Sequence, residues 1–243
     1  MNVSVQLYSV RDEFAEQPAE VLRRLAGIGF TQVEPYGLVE HAAVLRTGLT
    51  EHGLTAPTAH ARLIEEDPRP VFQVAAECGV GVVIDPYVPP EKWQTKDDIT
   101  ATAKALNHAA GIAREFGVRV GYHNHWWELE SRIDGRSAFE VFAGQLDPEL
   151  VLEVDTYWAT AGGEDAAELL RRLGDRVHAI HVKDGGLATD ASGQVPAGQG
   201  SVPVTDVLKA APQALRVVEF DRYDGDIFEG IAASFTYLKD HEG

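Results

Sequence analysis

The sequence predicts an α/β fold, a (β/α)₈ TIM barrel in which a parallel eight-stranded barrel is surrounded by helices. Short β-rich runs alternate with longer amphipathic runs from end to end, and this alternation is typical of parallel strands joined by helical crossovers. Eight such repeats in 243 residues match the size of a barrel of this type. The residues after the first strand, SVRDEF, lack the glycine-rich turn typical of a doubly wound open sheet. We find no linker or low-complexity tract, so we expect a single domain over residues 1–243.

The elements follow one another in a regular order. The predicted strands are short β-rich runs at 3–8, 31–34, 55–60, 80–85, 118–124, 150–155, 176–182 and 215–220. The predicted helices are amphipathic runs at 17–28, 39–52, 68–78, 97–116, 137–145, 164–174, 204–211 and 226–240. Several of these helices are followed by a stop glycine, as in AGIG, EHG, ECG and EFG. The longest connection, 184–203, is rich in Gly, Ser and Pro, and we predict a loop or a lid there. Its GQG segment is either a flexible turn, which we favour, or a cradle for phosphate.

Composition excludes several classes of function. Lys and Arg number 21 and Asp and Glu number 38, so the formal net charge is −17. A surface this acidic repels nucleic acid and disfavours anionic membranes, and we expect neither as a partner. The one cysteine excludes an intrachain disulfide and a cysteine zinc cluster. The opening residues MNVSVQLYSVRDE contain no signal peptide and the chain has no long apolar stretch, so we expect a cytoplasmic location.

Polar side chains gather where the predicted strands end, which is the rim that carries active sites in barrels. Asp155 ends an apolar strand in LEVDTYWATAGG, and an unpaired charge there is costly. If Asp155, His181 and Glu219 point inward, they converge from three adjacent strands. Two carboxylates and an imidazole suit Mn²⁺, Mg²⁺, Co²⁺ or Zn²⁺. The alternatives are a helix cap for Asp155, a hydrogen-bonded core histidine for His181 and a salt bridge for Glu219.

Five motifs in order resemble the xylose-isomerase-like TIM barrel superfamily, and within it the bacterial sugar phosphate isomerase/epimerase group. They are QLYSVRDE, YHNHWWE, LEVDTYWATAGG, HAIHVKD and VVEFDR. The resemblance implies one divalent cation, with Mn²⁺ placed before Mg²⁺, Co²⁺ and Zn²⁺. It also implies Glu, Asp, His and Glu ligands from the last four strands. Asp155, His181 and Glu219 match the last three. His123 stands where many members carry the first glutamate, and we predict that Glu128 replaces that ligand from the following loop, with a solvated loop charge as the alternative.

The resemblance implies proton abstraction next to a carbonyl and a metal-bound enediolate, on a keto-sugar or polyol-derived ketone. We therefore predict a metal-dependent isomerase or epimerase. The predicted catalytic residues are Glu219, Glu34, Lys183 and His123, and the predicted substrate contacts are His60, His125, Trp127 and Tyr157. Structural alternatives are rim packing for the histidines and aromatic residues, an ion pair for Lys183 and a helix cap for Glu34.

Three other functions compete with this prediction. A metal-dependent lyase would dehydrate an inosose-like substrate or eliminate from a 3-keto-glycoside. Endonuclease IV-like cleavage of abasic DNA belongs to the same superfamily, but the charge of −17 argues against it. A non-catalytic sugar-binding barrel would not need the Asp, His and Glu constellation. The expected partner is a small sugar or sugar-derived ketone, and the resemblance implies a homodimer or homotetramer.

Overall fold

Seven parallel strands form one curled sheet in the computed structural model, which describes residues 3–241. The strands are β1 (Val3–Val5), β2 (Thr58–His60), β3 (Val82–Asp85), β4 (Arg119–His123), β5 (Val151–Asp155), β6 (Val177–Val182) and β7 (Leu215–Val218). Their spatial order is β1-β7-β6-β5-β4-β3-β2. All six pairings are parallel, as the alternation of elements predicts.

The segment 31–36 occupies the place of the predicted second strand and joins the two ends of this sheet. It makes isolated parallel bridges, Gln6 to Glu34 on one side and Tyr36 to His60 on the other. The Glu34 amide donates to the Val5 carbonyl at 2.8 Å, and the His60 amide donates to the Pro35 carbonyl at 2.7 Å. Pro35 has no amide proton, so a regular ladder cannot run through this segment. The bridges nevertheless complete the predicted α/β barrel.

Helices cover the outside of the sheet. They are α1 (Arg11–Glu16), α2 (Pro18–Ile28), α3 (Ala42–Glu51), α4 (Arg69–Glu77), α5 (Lys96–Ala113), α6 (Trp127–Glu130), α7 (Ala138–Ala143), α8 (Thr156–Ala161), α9 (Ala166–Leu173), α10 (Val204–Ala210) and α11 (Ile227–Asp240). Each predicted helix has a counterpart, whereas α1, α6 and α8 are short helices that follow strand ends and were not predicted. The start of α8 is stabilised by a local cap, because Asp155 Oδ1 accepts a hydrogen bond from the Trp158 amide at 2.9 Å.

The barrel interior is apolar below and ionisable above. Two small buried clusters are formed by Val82, Ile84 and Val151 and by Ala179, Leu215 and Val217. These residues share a strand face with the polar residues that come two or four positions later, among them Glu153, His181 and Glu219. The apolar layer therefore fills the lower part of the barrel, and the ionisable side chains meet at its C-terminal end.

The loop 184–203 is held by one buried carboxylate. Asp184 Oδ2 accepts hydrogen bonds from the amides of Gly198 at 2.9 Å and Gly200 at 3.0 Å, and Oδ1 accepts from Val202 at 2.9 Å. A two-residue ribbon, Asp184–Gly185 with Gln194–Val195, ties the loop further. The GQG amides that we considered for phosphate are thus engaged within the loop, those of Gly198 and Gly200 by Asp184 and that of Gln199 by the Pro196 carbonyl.

The prediction of one domain over 1–243 stays a prediction, and its first two and last two residues lie outside the described range. Within residues 3–241, none of the helices combines the length and the apolarity that crossing a membrane requires.

Candidate metal centre

Two overlapping groups of buried metal-ligand side chains lie at the C-terminal end of the strands. His123, Asp155, His181 and Glu219 form the first, which we name the mouth donor set. His60, His123, Glu153 and His181 form the second, which we name the inner donor set. The donor atoms of each set lie within 4.8 Å of one another. The predicted convergence of Asp155, His181 and Glu219 is therefore present in the geometry, although their role as ligands stays a prediction.

Lys183 neutralises the carboxylates of the mouth donor set. Its Nζ lies 2.8 Å from Asp155 Oδ2 and 2.6 Å from Glu219 Oε2. It also donates a 2.8 Å hydrogen bond to Asp221 Oδ2. A cation bound by Asp155 and Glu219 would therefore displace the ammonium group, and Asp221 offers it a place to remain paired.

Glu153 lies at the centre of the inner donor set. Its Oε2 is 2.6 Å from His60 Nε2, 3.0 Å from His123 Nδ1 and 3.0 Å from His181 Nε2. Glu153 precedes Asp155 by two residues on β5, so both point to the barrel axis and Glu153 lies about 7 Å deeper. Sequence reasoning passed over Glu153, although its position two residues before Asp155 in LEVD was a usable signal.

Glu34 lies beside the inner donor set and is saturated with protein donors. Gln6 Nε2 donates to its Oε1 at 2.8 Å, and the Thr58 hydroxyl donates to its Oε2. His181 Nε2 lies 2.8 Å from Oε1. Glu34 is fully buried and does not line the cavity at the barrel mouth. The structure therefore places this predicted catalytic residue behind His60 and His181.

Burial and neighbouring charges separate the protonation states of these groups. Burial opposes ionisation of Glu219, but Lys183 and His181 outweigh it and hold its pKa well below the usual range. Burial also opposes protonation of His181, yet Glu153 and Glu219 raise its pKa well above the ordinary value. For His123, burial and the charge of His181 lower the pKa to about 3. The His123 imidazole is therefore neutral at pH 7, which is the state that binds a metal ion.

Burial and neighbouring charges also shift the pKa values of Asp155 and Lys183. Burial raises the pKa of Asp155 to about 6, although Lys183 counteracts the shift. Burial lowers the pKa of Lys183, but Asp155, Asp221 and Glu219 outweigh it and raise the pKa well above the ordinary value. Lys183 is therefore charged at pH 7, and it supplies part of the positive charge that the carboxylates need.

Glu128, the ligand predicted from the YHNHWWE segment, is in neither donor set. Its Oε1 accepts a hydrogen bond from the Tyr122 hydroxyl at 2.9 Å, and its Oε2 accepts one from the His125 amide at 2.9 Å. Burial raises its pKa to about 8. The structure gives Glu128 a local hydrogen-bonding role within α6, and His123, at the end of β4, is the residue that lies with Asp155, His181 and Glu219.

A cavity of about 670 Å³ opens above the donor sets. His60, His123, His125 and Glu219 line it, together with Tyr8, Tyr36, Tyr87, Glu40, Arg62 and Asp221. The His125 ring stacks on Trp127 with ring centroids 4.3 Å apart. Trp127 itself lies behind His125 and does not line the cavity.

Tyr157, a predicted substrate contact, is fully buried, and its hydroxyl donates to the Ala188 carbonyl at 2.9 Å. The tyrosines that do reach the cavity were missed in the sequence, because no spacing rule distinguishes a rim tyrosine from a packed one.

The chemistry of the mouth donor set fits a divalent cation. It combines two imidazoles with two carboxylates, a mixture that Mn²⁺, Co²⁺ and Zn²⁺ accept. His123 is neutral, and Asp155 keeps Oδ1 for the cap of α8 while Oδ2 faces the set. The described residues therefore supply four ligands close enough together to hold one ion.

Comparison with known proteins gives the wider context. Residues 5–222 match the family described as "Xylose isomerase-like TIM barrel". An inosose dehydratase of Geobacillus kaustophilus is 27% identical over 188 residues, which are 69% of this chain and 60% of that protein. The chain thus aligns with less than two thirds of that relative.

Two solved structures share the fold. A sugar phosphate isomerase/epimerase from Parabacteroides distasonis superposes with a TM-score of 0.81 at 23% identity, covering 99% of this chain and 93% of that one. The IOLI protein, described with a bound zinc atom, superposes with a TM-score of 0.70 at 16% identity, covering 100% of this chain and 98% of that one.

Proposed function

The chain belongs to the xylose isomerase-like TIM barrel family, and we propose that it is a metal-dependent isomerase or epimerase of an unphosphorylated keto-sugar or polyol-derived ketone. The observation that carries the proposal is the mouth donor set, from which His123 and Glu219 line the cavity, with Lys183 beside Glu219. A site that unites metal ligands, an ionised carboxylate and a charged ammonium suits proton transfer next to a carbonyl.

His123, Asp155, His181 and Glu219 would hold the cation. Bound there, a divalent ion would act as a Lewis acid toward a carbonyl and its neighbouring hydroxyl. We place Mn²⁺ first, and the zinc described for the IOLI protein supports a divalent ion without deciding its identity.

The chain's own groups would move the proton. Glu219 lines the cavity, so its carboxylate is placed to accept a proton from a substrate carbon. Lys183 lies 2.6 Å from Glu219 and can donate a hydrogen bond to a substrate oxygen on which charge develops. His60 and His125 line the same cavity and can bind substrate hydroxyl groups.

The charges of the site favour a substrate without phosphate. Arg62 is the one Lys or Arg side chain among the described residues lining the cavity, whereas Glu40, Glu219 and Asp221 are acidic. The first amides of α11 are taken by their own cap, because Asp226 Oδ1 accepts from Phe228 at 2.9 Å and Glu229 at 3.1 Å. The amides of Gly198 and Gly200 are likewise engaged by Asp184, so neither the GQG segment nor the start of α11 offers these amides to a phosphate.

Solvent exchange tests the proposal. The metal-loaded protein is incubated with a panel of keto-sugars and inososes in deuterated buffer, and recovered sugars are analysed by mass spectrometry. We expect one deuterium at the carbon next to the carbonyl, and we expect Asp155→Asn to lower the exchange rate at least 100-fold. Asp190→Asn, on the exposed surface of the 184–203 loop, is the control and should exchange normally. Equal exchange by Asp155→Asn would refute the role of the mouth donor set.

A dehydratase is the second candidate. The inosose dehydratase relative favours it, as does Lys183, whose ammonium group can protonate a departing hydroxyl. The same experiment separates the two, since loss of water from the recovered substrate identifies a dehydratase and a labelled sugar of unchanged composition identifies an isomerase or epimerase.

A further inference from the structure

The inner donor set surrounds one carboxylate oxygen with three imidazole nitrogens. His60 Nε2, His123 Nδ1 and His181 Nε2 all lie within 3.0 Å of Glu153 Oε2. Three histidines and one carboxylate are a ligand set that Zn²⁺ accepts readily. We propose that the inner donor set is a second cation position, selective for Zn²⁺ and alternative to the mouth donor set.

Glu153 has a carboxylate oxygen without a hydrogen-bond donor among the described residues, whereas both oxygens of Glu34 have donors. Its other oxygen, Oε1, is buried and has no hydrogen-bond partner among residues 3–241. Glu34, equally buried, receives hydrogen bonds on both oxygens from Gln6 and Thr58. A buried carboxylate oxygen without a donor is costly, and a cation that Glu153 held through both of its oxygens would remove that cost.

The two positions share His123 and His181 through opposite ring nitrogens. His123 turns Nδ1 toward Glu153 at 3.0 Å and Nε2 toward Asp155 at 3.7 Å. His181 turns Nε2 toward Glu153 at 3.0 Å and Nδ1 toward Glu219 at 2.6 Å. An imidazole that binds an ion through one ring nitrogen keeps a proton on the other nitrogen, so each ring holds an ion on one side only. We therefore expect one cation per chain, in one position or the other.

Ligand type decides which ion prefers which position. The mouth donor set offers two carboxylates, whereas the inner donor set offers three imidazoles and one carboxylate. Oxygen ligands suit Mn²⁺ and imidazoles favour Zn²⁺. Lys183 also competes for Asp155 and Glu219 in the mouth donor set, and its ion pairs do not extend to Glu153.

A metal-binding measurement tests this inference, which rests on the proposed function only in taking the mouth donor set as the working site. The full chain is stripped of metal and titrated separately with ZnCl₂ and MnCl₂ by calorimetry. We expect one equivalent of each ion. We expect His60→Ala to weaken Zn²⁺ binding at least tenfold and to leave Mn²⁺ binding within twofold.

The control is His125→Ala, which removes a cavity histidine that belongs to neither donor set and should change neither affinity. Glu153→Gln serves as a second variant if His60→Ala unfolds, and it should show the same selective loss of Zn²⁺. Two Zn²⁺ equivalents per chain, equal losses for both ions or an unchanged Zn²⁺ affinity would each overturn the inference. None of these outcomes depends on whether the protein exchanges a substrate proton.

Discussion

At the scale of single residues, the carboxylates of the barrel differ because their neighbours differ. Glu153 meets three histidines, and although burial opposes its ionisation, His181 and His60 hold its pKa well below the usual range. Glu128 is equally buried but meets only a tyrosine hydroxyl and an amide, so burial dominates and raises its pKa to about 8. One carboxylate is thus charged at pH 7 and the other is mostly protonated.

Replacing Glu128 by glutamine should remove a pH dependence of stability. The folded pKa of about 8 lies above the ordinary 4.5, so the stabilisation is present below about pH 4.5 and is lost as the pH rises through about 8. The shift corresponds to about 5 kcal/mol at most. In urea unfolding at pH 5 and pH 8, Glu128→Gln should lose less stability than the unmodified protein. Glu130→Gln, exposed on the same helix, is the control, and a slope unchanged by Glu128→Gln would contradict the assignment.

Sequence reasoning located part of the site at this scale. Asp155, His181 and Glu219 were found because each ends a strand and strand ends meet on one rim. Glu128 is favoured over His123 as the ligand from the YHNHWWE segment because the resemblance implies a glutamate there. That choice could not be made from spacing, since the direction of Glu128 depends on the turn into α6. The contact between His60 and Glu153 joins residues 93 positions apart, which no local pattern reveals.

At the scale of elements, the loop 184–203 links the fold to the site. Asp184 fixes its glycine turn, and the loop then presents Gln194 to the end of β7. Gln194 Nε2 donates to Asp221 Oδ2 at 2.9 Å, and its Oε1 accepts from the Asp221 amide at 2.8 Å. Asp221 is in turn a partner of Lys183. The loop therefore holds the carboxylate that keeps Lys183 in place.

Removing the Asp184 carboxylate should open this loop. Asp184→Ala leaves the amides of Gly198, Gly200 and Val202 without acceptors, at a cost of about 1–3 kcal/mol for each group that stays buried. We expect hydrogen exchange at these three amides to accelerate at least 100-fold, as measured by NMR or mass spectrometry. Asp190→Ala, at an exposed turn of the same loop, should leave their exchange unchanged. Protection retained in Asp184→Ala would show that the ribbon alone holds the loop.

The order of strands and helices could be predicted from the sequence, whereas the irregular second strand and the short helices could not. The alternation of strands and helices predicts the barrel, because the spacing of apolar residues depends on which face of each element is buried. The segment 31–36 contributes isolated bridges instead of a ladder, since Pro35 interrupts the donors. The short helices α1, α6 and α8 follow strand ends, and Asp155, a member of the mouth donor set, caps α8.

At the scale of the whole molecule, the net charge of the chain and the charges lining the cavity both disfavour the approach of anions. The chain carries a net charge of −17, and among the described residues the cavity lining includes the acidic Glu40, Glu219 and Asp221 but one arginine, Arg62. Such a surface repels anions before they reach the site. The charge thus disfavours both a nucleic acid backbone and a phosphorylated sugar, whereas a bound divalent cation would offset only the carboxylates that hold it.

This balance predicts discrimination against phosphate esters. Once a keto-sugar that exchanges its proton is identified, its phosphate ester should show a kcat/KM at least tenfold lower, mainly through a higher KM. Raising the salt concentration should reduce the difference in kcat/KM between the free sugar and its phosphate ester, because exposed charges are screened over about 10 Å at 0.1 M. Glu40→Gln, which removes a negative charge from the cavity wall, should also reduce this difference in kcat/KM. A neutral ether of similar bulk at the same position separates charge from size, since it should be accepted better than the phosphate. A phosphate ester that reacts as well as the free sugar would mean that the acidic wall does not govern selection and that Arg62 or a bound cation receives the anion.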